Sequence, residues 1–374
     1  MAEKYSMKDD LFNAKKVNKI ALEIETVYKG FKRVAFEDEV ISKFPELELK
    51  ERIFHIKDMF KKYLPDDYIV ATNILLDALP QELDADKNDD DFGDFIYSPY
   101  SEYVAEVGCT KEHLDFSLLA LKEMTKRFSI EFSIRDFINN FPKESYKMLC
   151  ECSLSDNYHQ RRVASEGLRV KLPWAKKIEI DYHDNFPILE NLYFDKTRYV
   201  TRSVANHLND ISKIDAPLVL ETLKRWKSSN KQDKKEIEFI INHALRTLIK
   251  EGSKDALAFL GFSVNPKIEI KNFNIKKTEV VIGEAVEFDF EIVGKKDEGL
   301  IVDYILHFQT KSGKLSPKVH KIKKLSIKSE ESIKIVKKHL FKVNMTTRKF
   351  YSGMHKVELQ INGKSYGSLE FTLS

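Results

Sequence analysis

The segment "RRVASEGLRVKLPWA", residues 161 to 175, sets one carboxylate, Glu166, among four basic residues, Arg161, Arg162, Arg169 and Lys171, and ends just past a Pro-Trp pair. On a helix Arg162, Glu166 and Arg169 fall at i, i+4 and i+7 and share a face. Lys and Arg at this density suit a phosphate backbone, which they neutralise with release of counterions. The indole of Trp174 offers a ring face to a cation. The competing reading is an intramolecular Arg–Glu network on a solvated ridge, where each pair is worth little. Arg198 and Arg202, again four apart, bring further positive charge from the next stretch of helical sequence.

The elements that must position this cluster are helical. Up to about residue 262 apolar residues recur three and four apart, as in "LELKERIFHIKDMFKKYL" and "KKEIEFIINHALRTLIKEG", the pattern of amphipathic helices. Pro173 disfavours helical geometry at Leu172, so the spacing predicts a helix over 158–169 that stops before Pro173. "YHQRRVASEGLR" from Tyr158, "YVTRSVANHLND" from Tyr199 and "FIINHALRTLIK" from Phe239 align without gaps. A helical repeat of about 40 residues is the HEAT/armadillo period. Such units bury their apolar faces against their neighbours and build a solenoid with one concave side. In this register Val163, Val204 and Ala244 take the buried position, and Arg161, Arg202 and Asn242 a polar one.

From about residue 267 the period changes to two. "TEVVIGEAVEFDFEIVG", "VDYILHFQTKSG" and "HKVELQINGKSYGSLEFTL" alternate apolar with polar residues between turn formers, as short strands do. Seven or so strands in such a length predict an immunoglobulin-like sandwich. The expected architecture is an α solenoid of HEAT-like helical repeats over residues 1–264, followed by an all-β immunoglobulin-like sandwich over 265–374, with the break at Asn265-Pro266. The net charge of the 374 residues is only +3, but it is unevenly spread. Residues 311–349 carry 13 Lys and Arg against 2 Asp and Glu. Such a stripe reads as a surface for an anionic partner, with nucleic acid foremost, or as lysine-rich sheet edges that discourage aggregation.

Several function classes are excluded. No apolar run is long enough to span a membrane. The beginning lacks an apolar signal core, and three cysteines are too few for a disulfide framework, so a reducing cytoplasm is expected. "DADKNDDDFGDF", residues 84–95, opens like a calcium loop but has Asp89 at position six and Phe95 at position twelve. That spacing fails, and the stretch reads as a solvated acidic loop. Neither a Gly-rich phosphate loop nor a zinc pattern is present, so no cofactor and no metal are expected. His207 and His243 read as packing or surface residues, and Trp226 as core.

The cluster "RRVASEGLRVKLPWA" strongly resembles the signature of the AlkC-type DNA alkylation-repair glycosylases. "IEFSIRDF" (130–137), "SVANHLND" (203–210), "GSKDALAFLGFS" (252–263) and the opening "MKDDLFNAKKVNKIALEIETVYKGF" are similar to further segments of that family. The period-two region matches the subgroup that carries a C-terminal immunoglobulin-like domain. The resemblance implies a HEAT-like-repeat fold that cradles double-stranded DNA containing alkylated bases. It further implies release of cationic N3-methyladenine and N3-methylcytosine by a monomer, with the lesion staying near the base stack rather than turning into a pocket. It assigns catalysis to Glu131, Glu166 and Trp174, and DNA binding to Arg161, Arg162, Arg169, Lys171, Arg198, Arg202, Asn206 and Asp210. Ile130 stands where the family commonly has Ser, and Lys171 where Arg is more usual, which keeps the charge but not a bidentate contact.

The implied chemistry accounts for a single acid in basic surroundings. An N3-alkylated base already carries positive charge, so its glycosidic bond breaks without strong acid assistance. Charge then develops on the sugar, where a preplaced carboxylate stabilises it. Neighbouring arginines keep that carboxylate ionised. The alternative, from another class, is a non-enzymatic scaffold that binds distorted DNA or a protein partner. Glu131 and Glu166 separate the two, because a pure phosphate cradle gains nothing from buried anions.

Overall fold

The computed structural model describes residues 6–89, 92–343, 345 and 348–374. Asp90 and Asp91 of the acidic loop, and Asn344, Thr346 and Thr347 of the lysine-rich stretch, lie outside the described residues. Residues up to Ala244 and those from Leu245 onward form two compact units. The change from helix to strand falls within the second, between the helix Lys254–Phe259 and the first strand at Ile268.

In the first unit three helix pairs follow one another: Pro142–Ser153 with Tyr158–Glu166, Phe186–Leu192 with Arg198–Ile211, and Ala216–Ser229 with Lys234–Ala244. The second helix of each pair packs on the second helix of the next. Val163, Val204 and Ala244 are fully buried, because an apolar face three or four residues wide is covered only by the neighbouring repeat. Earlier helices extend the stack through aromatic contacts. Phe36 lies parallel to Phe60 at 5.8 Å between ring centres, and Phe60 meets the edge of Tyr100 at 5.1 Å. The α-helical repeats and the β-sandwich that follows are the architecture the periodicities predict.

The helix that carries Glu166 begins on Asn157, whose side chain accepts from the backbone N–H of His159 and Gln160, satisfying two donors that the first turn leaves without partners. It ends at Glu166, not at the residues before Pro173. The physical reason is Arg135, a fully buried arginine. Its Nε and Nη atoms donate to the carbonyls of Lys176, Gly167 and Arg169, which are thereby turned out of any continuing helical ladder. Gly167 sits where an added Cβ would meet Ile134 Cγ2 at 3.0 Å and the Val163 carbonyl oxygen at 3.0 Å. Arg169 therefore returns to Glu166 from a turn instead of from one helical face.

The acidic loop is exposed from Asp84 to Asn88, as expected, but its end is tied to a helix. Asn88 accepts the Arg198 N–H at 2.6 Å through its side chain and the Tyr199 N–H at 2.9 Å through its backbone. It thus caps the helix Arg198–Ile211, and Asp89 pairs with Arg202 beside it.

The second unit holds eight strands among the described residues: β1 (Ile268–Ile275), β2 (Glu279–Val280), β3 (Ala285–Gly294), β4 (Glu298–Gln309), β5 (Leu315–Ile327), β6 (Ser332–Leu340), β7 (Gly353–Ile361) and β8 (Lys364–Leu373). One sheet runs β1-β3-β6, the other β2-β8-β7-β4-β5, and all pairings are antiparallel except β2 with β8. Phe288, Phe290, Leu300, Val302, Leu359 and Phe371 fill the core. The lysine-rich β5 and β6 are both edge strands. Exposed lysines there discourage pairing with another chain, and Lys318, Lys321 and Lys323 all project into solvent. Ile327 and Ile335 point inward as their alternation requires, whereas Leu325 and Ile333 are only half-buried.

Candidate active site

Glu166 is 5% exposed, and each of its oxygens has a donor. Arg169 Nη1 donates to Oε1 at 2.7 Å and Ser203 Oγ to Oε2 at 2.5 Å, while Arg162 Nη2 lies 3.8 Å from Oε1. Burial alone would push this carboxyl up. The charges of Arg162 and Arg169, with the bonds from Ser203 and Arg169, overcome it and hold the group below the ordinary carboxylate range.

Two arginines link the acids into a chain. Arg162, 6% exposed, donates to Ser129 Oγ at 2.5 Å and to Glu131 Oε2 at 3.4 Å, and it lies over the Tyr199 ring at 4.5 Å. Arg169, 7% exposed, reaches from Glu166 to Asp210, with its Nε 2.9 Å from Oδ2. With Arg135, three guanidinium groups face the three carboxylates Glu131, Glu166 and Asp210. Such an array is retained only where nearly every charge is paired, since an uncompensated buried charge costs several kcal/mol, about 3–5 when one partner is removed. Burial pulls Arg135 down to about 10, helped by the nearby Arg169. His207, fully buried against the same cluster, is pulled down to about 3 by burial and then by Arg169. It is neutral at any physiological pH.

The remaining arginines are engaged across repeats. Arg161 is bidentate to Asp195 and donates to the carbonyls of Ser155 and Asp156. A shift of one position around the helix turns it away from its neighbour Arg162. Arg198 forks onto Glu236 at 2.5–3.0 Å and lies on the Phe239 ring at 3.8 Å. Arg202 meets Asp89, and Asn206 Oδ1 accepts from His243 Nε2 at 2.9 Å. The arginines of the expected phosphate cradle are therefore held within the protein. Lys171 is exposed.

Glu131 and Trp174 line a cavity of about 270 Å³ in the first unit. Trp174 is 78% exposed and adopts a left-handed backbone, φ 64°, a conformation that costs a non-glycine residue about 1–3 kcal/mol and gathers at functional sites. Lys50 Nζ donates to its carbonyl at 2.5 Å. A solvent-facing indole in a strained turn thus shares a cavity wall with Glu131.

Sequence reasoning named Glu131, Glu166, Arg162, Arg169 and Asp210, and the structure brings these five together. It missed Arg135, Ser203 and Tyr199. The first two lie inside the quoted segments "IEFSIRDF" and "SVANHLND", but nothing in their spacing shows that Arg135 clamps a turn or that Ser203 binds Glu166. Among the described residues no group of three or more His, Cys, Asp or Glu side chains could hold a metal ion, and no helix is long and apolar enough to cross a membrane.

Residues 269–374 match the family model described as the C-terminal Ig-like domain of the uncharacterised protein YhaZ. The uncharacterized protein YhaZ of Bacillus subtilis (strain 168) is 32% identical over 366 residues, which cover 97% of this chain and 98% of that protein. The Pseudomonas fluorescens alkylpurine DNA glycosylase AlkC, solved bound to DNA containing an abasic site analog, is similar with a TM-score of 0.87 at 30% identity. That match covers 99% of this chain and 100% of the other.

Proposed function

The chain belongs to the AlkC-type family, in the branch with a C-terminal immunoglobulin-like domain, and from that membership we propose that it is a DNA glycosylase of base excision repair that removes cationic N3-alkylated bases. N3-methyladenine and N3-methylcytosine in double-stranded DNA are the substrates, in the cytoplasm, by a monomer and without full extrusion of the base. The observation that carries this reading is the buried, ionised Glu166 joined through Arg162 to Glu131.

In the reaction the bond between the sugar and the base nitrogen breaks, and its electron pair goes to the cationic base, which leaves neutral. Positive charge appears on the sugar. Glu131, at the cavity wall and only half-buried, is the carboxylate a sugar and a water can approach. It orients the water and accepts its proton as the new carbon–oxygen bond forms. Both oxygens of Glu166 are occupied by donors, so it acts as a fixed negative charge that costs no reorganisation when the sugar becomes positive. Trp174 offers its ring to the cationic nucleotide. Lys171 and the lysines of β5 supply backbone attraction.

Incubating the protein with duplex DNA containing N3-methyladenine tests the reading. Release of the free base, leaving an abasic site, is expected. Tight binding with no base release by the wild-type chain would favour a scaffold that recognises distorted DNA.

A further inference from the structure

The cavity beside Glu131 ends on a third carboxyl group, Glu102, which the reaction above does not use. Glu102 Oε1 accepts from Ser133 Oγ at 2.9 Å, and Ser133 is itself fixed by Ser101 Oγ at 2.9 Å. Among the described residues no lysine or arginine reaches ion-pair distance of Glu102, in contrast to the other carboxylates of the site. Asp136, also at the wall, is neutralised by Lys176 at 2.6 Å. Phe54, Phe95, Phe128, Phe132 and Trp174 bring aromatic rings to the wall. At about 270 Å³ the cavity lies just under the ~300–1,000 Å³ of sites for drug-sized ligands, so it suits a molecule of one or two rings.

We propose that this cavity is a binding site for a free aminated nucleobase, the leaving product, with Glu102 reading the base edge. The proposal rests on the glycosylase reading for the identity of its ligand. Burial raises the Glu102 carboxyl above its ordinary value, against the bond from Ser133; the charge of Asp136 adds to the rise, and those of Lys176 and Lys57 oppose it. Its carboxyl oxygens accept hydrogen bonds. They suit the exocyclic amine of N3-methyladenine, which donates through its N–H groups. The aromatic side chains supply stacking for the base. Ser129, which anchors Arg162, and Glu131 both lie on the wall, so a base released beside Glu131 has a place to go that is not bulk solvent.

Equilibrium dialysis of the full chain, without DNA, against radiolabelled N3-methyladenine tests this. Saturable binding is expected, with unsubstituted purine, which lacks the amine, at least about tenfold weaker, the loss for one unmade hydrogen bond of ~1.4 kcal/mol. Glu102→Gln keeps an acceptor oxygen and should bind within about threefold of wild type, whereas Glu102→Leu should lose about tenfold or more. No saturable binding, or equal binding of N3-methyladenine and purine by the wild-type chain, overturns the proposal, and the second comparison needs no variant to fold. Base release from alkylated DNA is measured on the same preparation. Release without base binding overturns the cavity site and leaves the glycosylase reading standing; base binding without release does the reverse.

Discussion

Glu166→Gln removes one negative charge from the site and almost no volume. The wild-type cluster balances Arg135, Arg162 and Arg169 against Glu131, Glu166 and Asp210. The substitution leaves an excess of positive charge where the reaction itself makes the sugar positive. Loss of one preplaced electrostatic partner of a transition state costs about 2.7–4 kcal/mol, and at ~1.36 kcal/mol per decade the rate should fall by about 10²–10³. The fold should survive. The Gln oxygen still accepts from Arg169, and its amide donates to Ser203 Oγ, so the cost is the weakening of charge-assisted bonds, about 1–3 kcal/mol. Single-turnover release of N3-methyladenine, with protein in excess over the alkylated duplex, reads the chemical step, and thermal melting and DNA binding are followed alongside. A rate within about threefold of wild type at unchanged binding refutes the electrostatic role. A rate that falls only as far as the folded fraction falls reduces Glu166 to a structural ion pair.

Trp174→Gly should leave stability equal or higher, because relief of left-handed strain, about 1–3 kcal/mol, exceeds the entropy cost of glycine, about 0.5–1 kcal/mol. Base release should fall about tenfold or more with the ring gone, and a variant that melts earlier yet excises normally would contradict both halves. Replacing Lys318, Lys321 and Lys323 with Glu should weaken binding to any duplex and flatten the dependence of log K on log salt by up to about 0.9 per lost contact. Unchanged salt dependence would leave these lysines as guards of an edge strand. The sandwich should also lose stability in acid. Burial lowers His320 and His339 to about 4, with Lys318 and Arg348 adding to the effect on His320, and His320 and Lys318 on His339. The unfolded chain therefore binds protons first, and the stabilisation present above about pH 6.5 is lost as pH falls towards 4. Circular dichroism melts of His320→Gln should show a smaller loss over that window.

What the sequence determined by itself is whatever depends on neighbours within a few residues. Periods of 3.6 and 2 separate helical repeats from strands because each element must turn one face inward, and that rule placed Val163, Val204 and Ala244 in the core without coordinates. The alternation that turns Ile327 and Ile335 inward is local in the same sense. Tertiary structure decided which charges meet, because the partners lie tens of residues apart. Arg161 and Arg162 are adjacent and alike on paper, yet one is drawn to Asp195 and the other to Glu131 and Glu166. The end of the Glu166 helix depends on tertiary structure for the same reason: Pro173 is a local stop, but Arg135, from another helix, takes the carbonyls of Gly167 and Arg169 before it. The lysines of residues 311–349 were countable in the sequence, but only strand order shows that they sit on the two sheet edges, β5 and β6. Helix and strand are chosen by short-range sterics and burial, whereas a buried charge takes its meaning from whichever opposite charge the packed chain brings within reach.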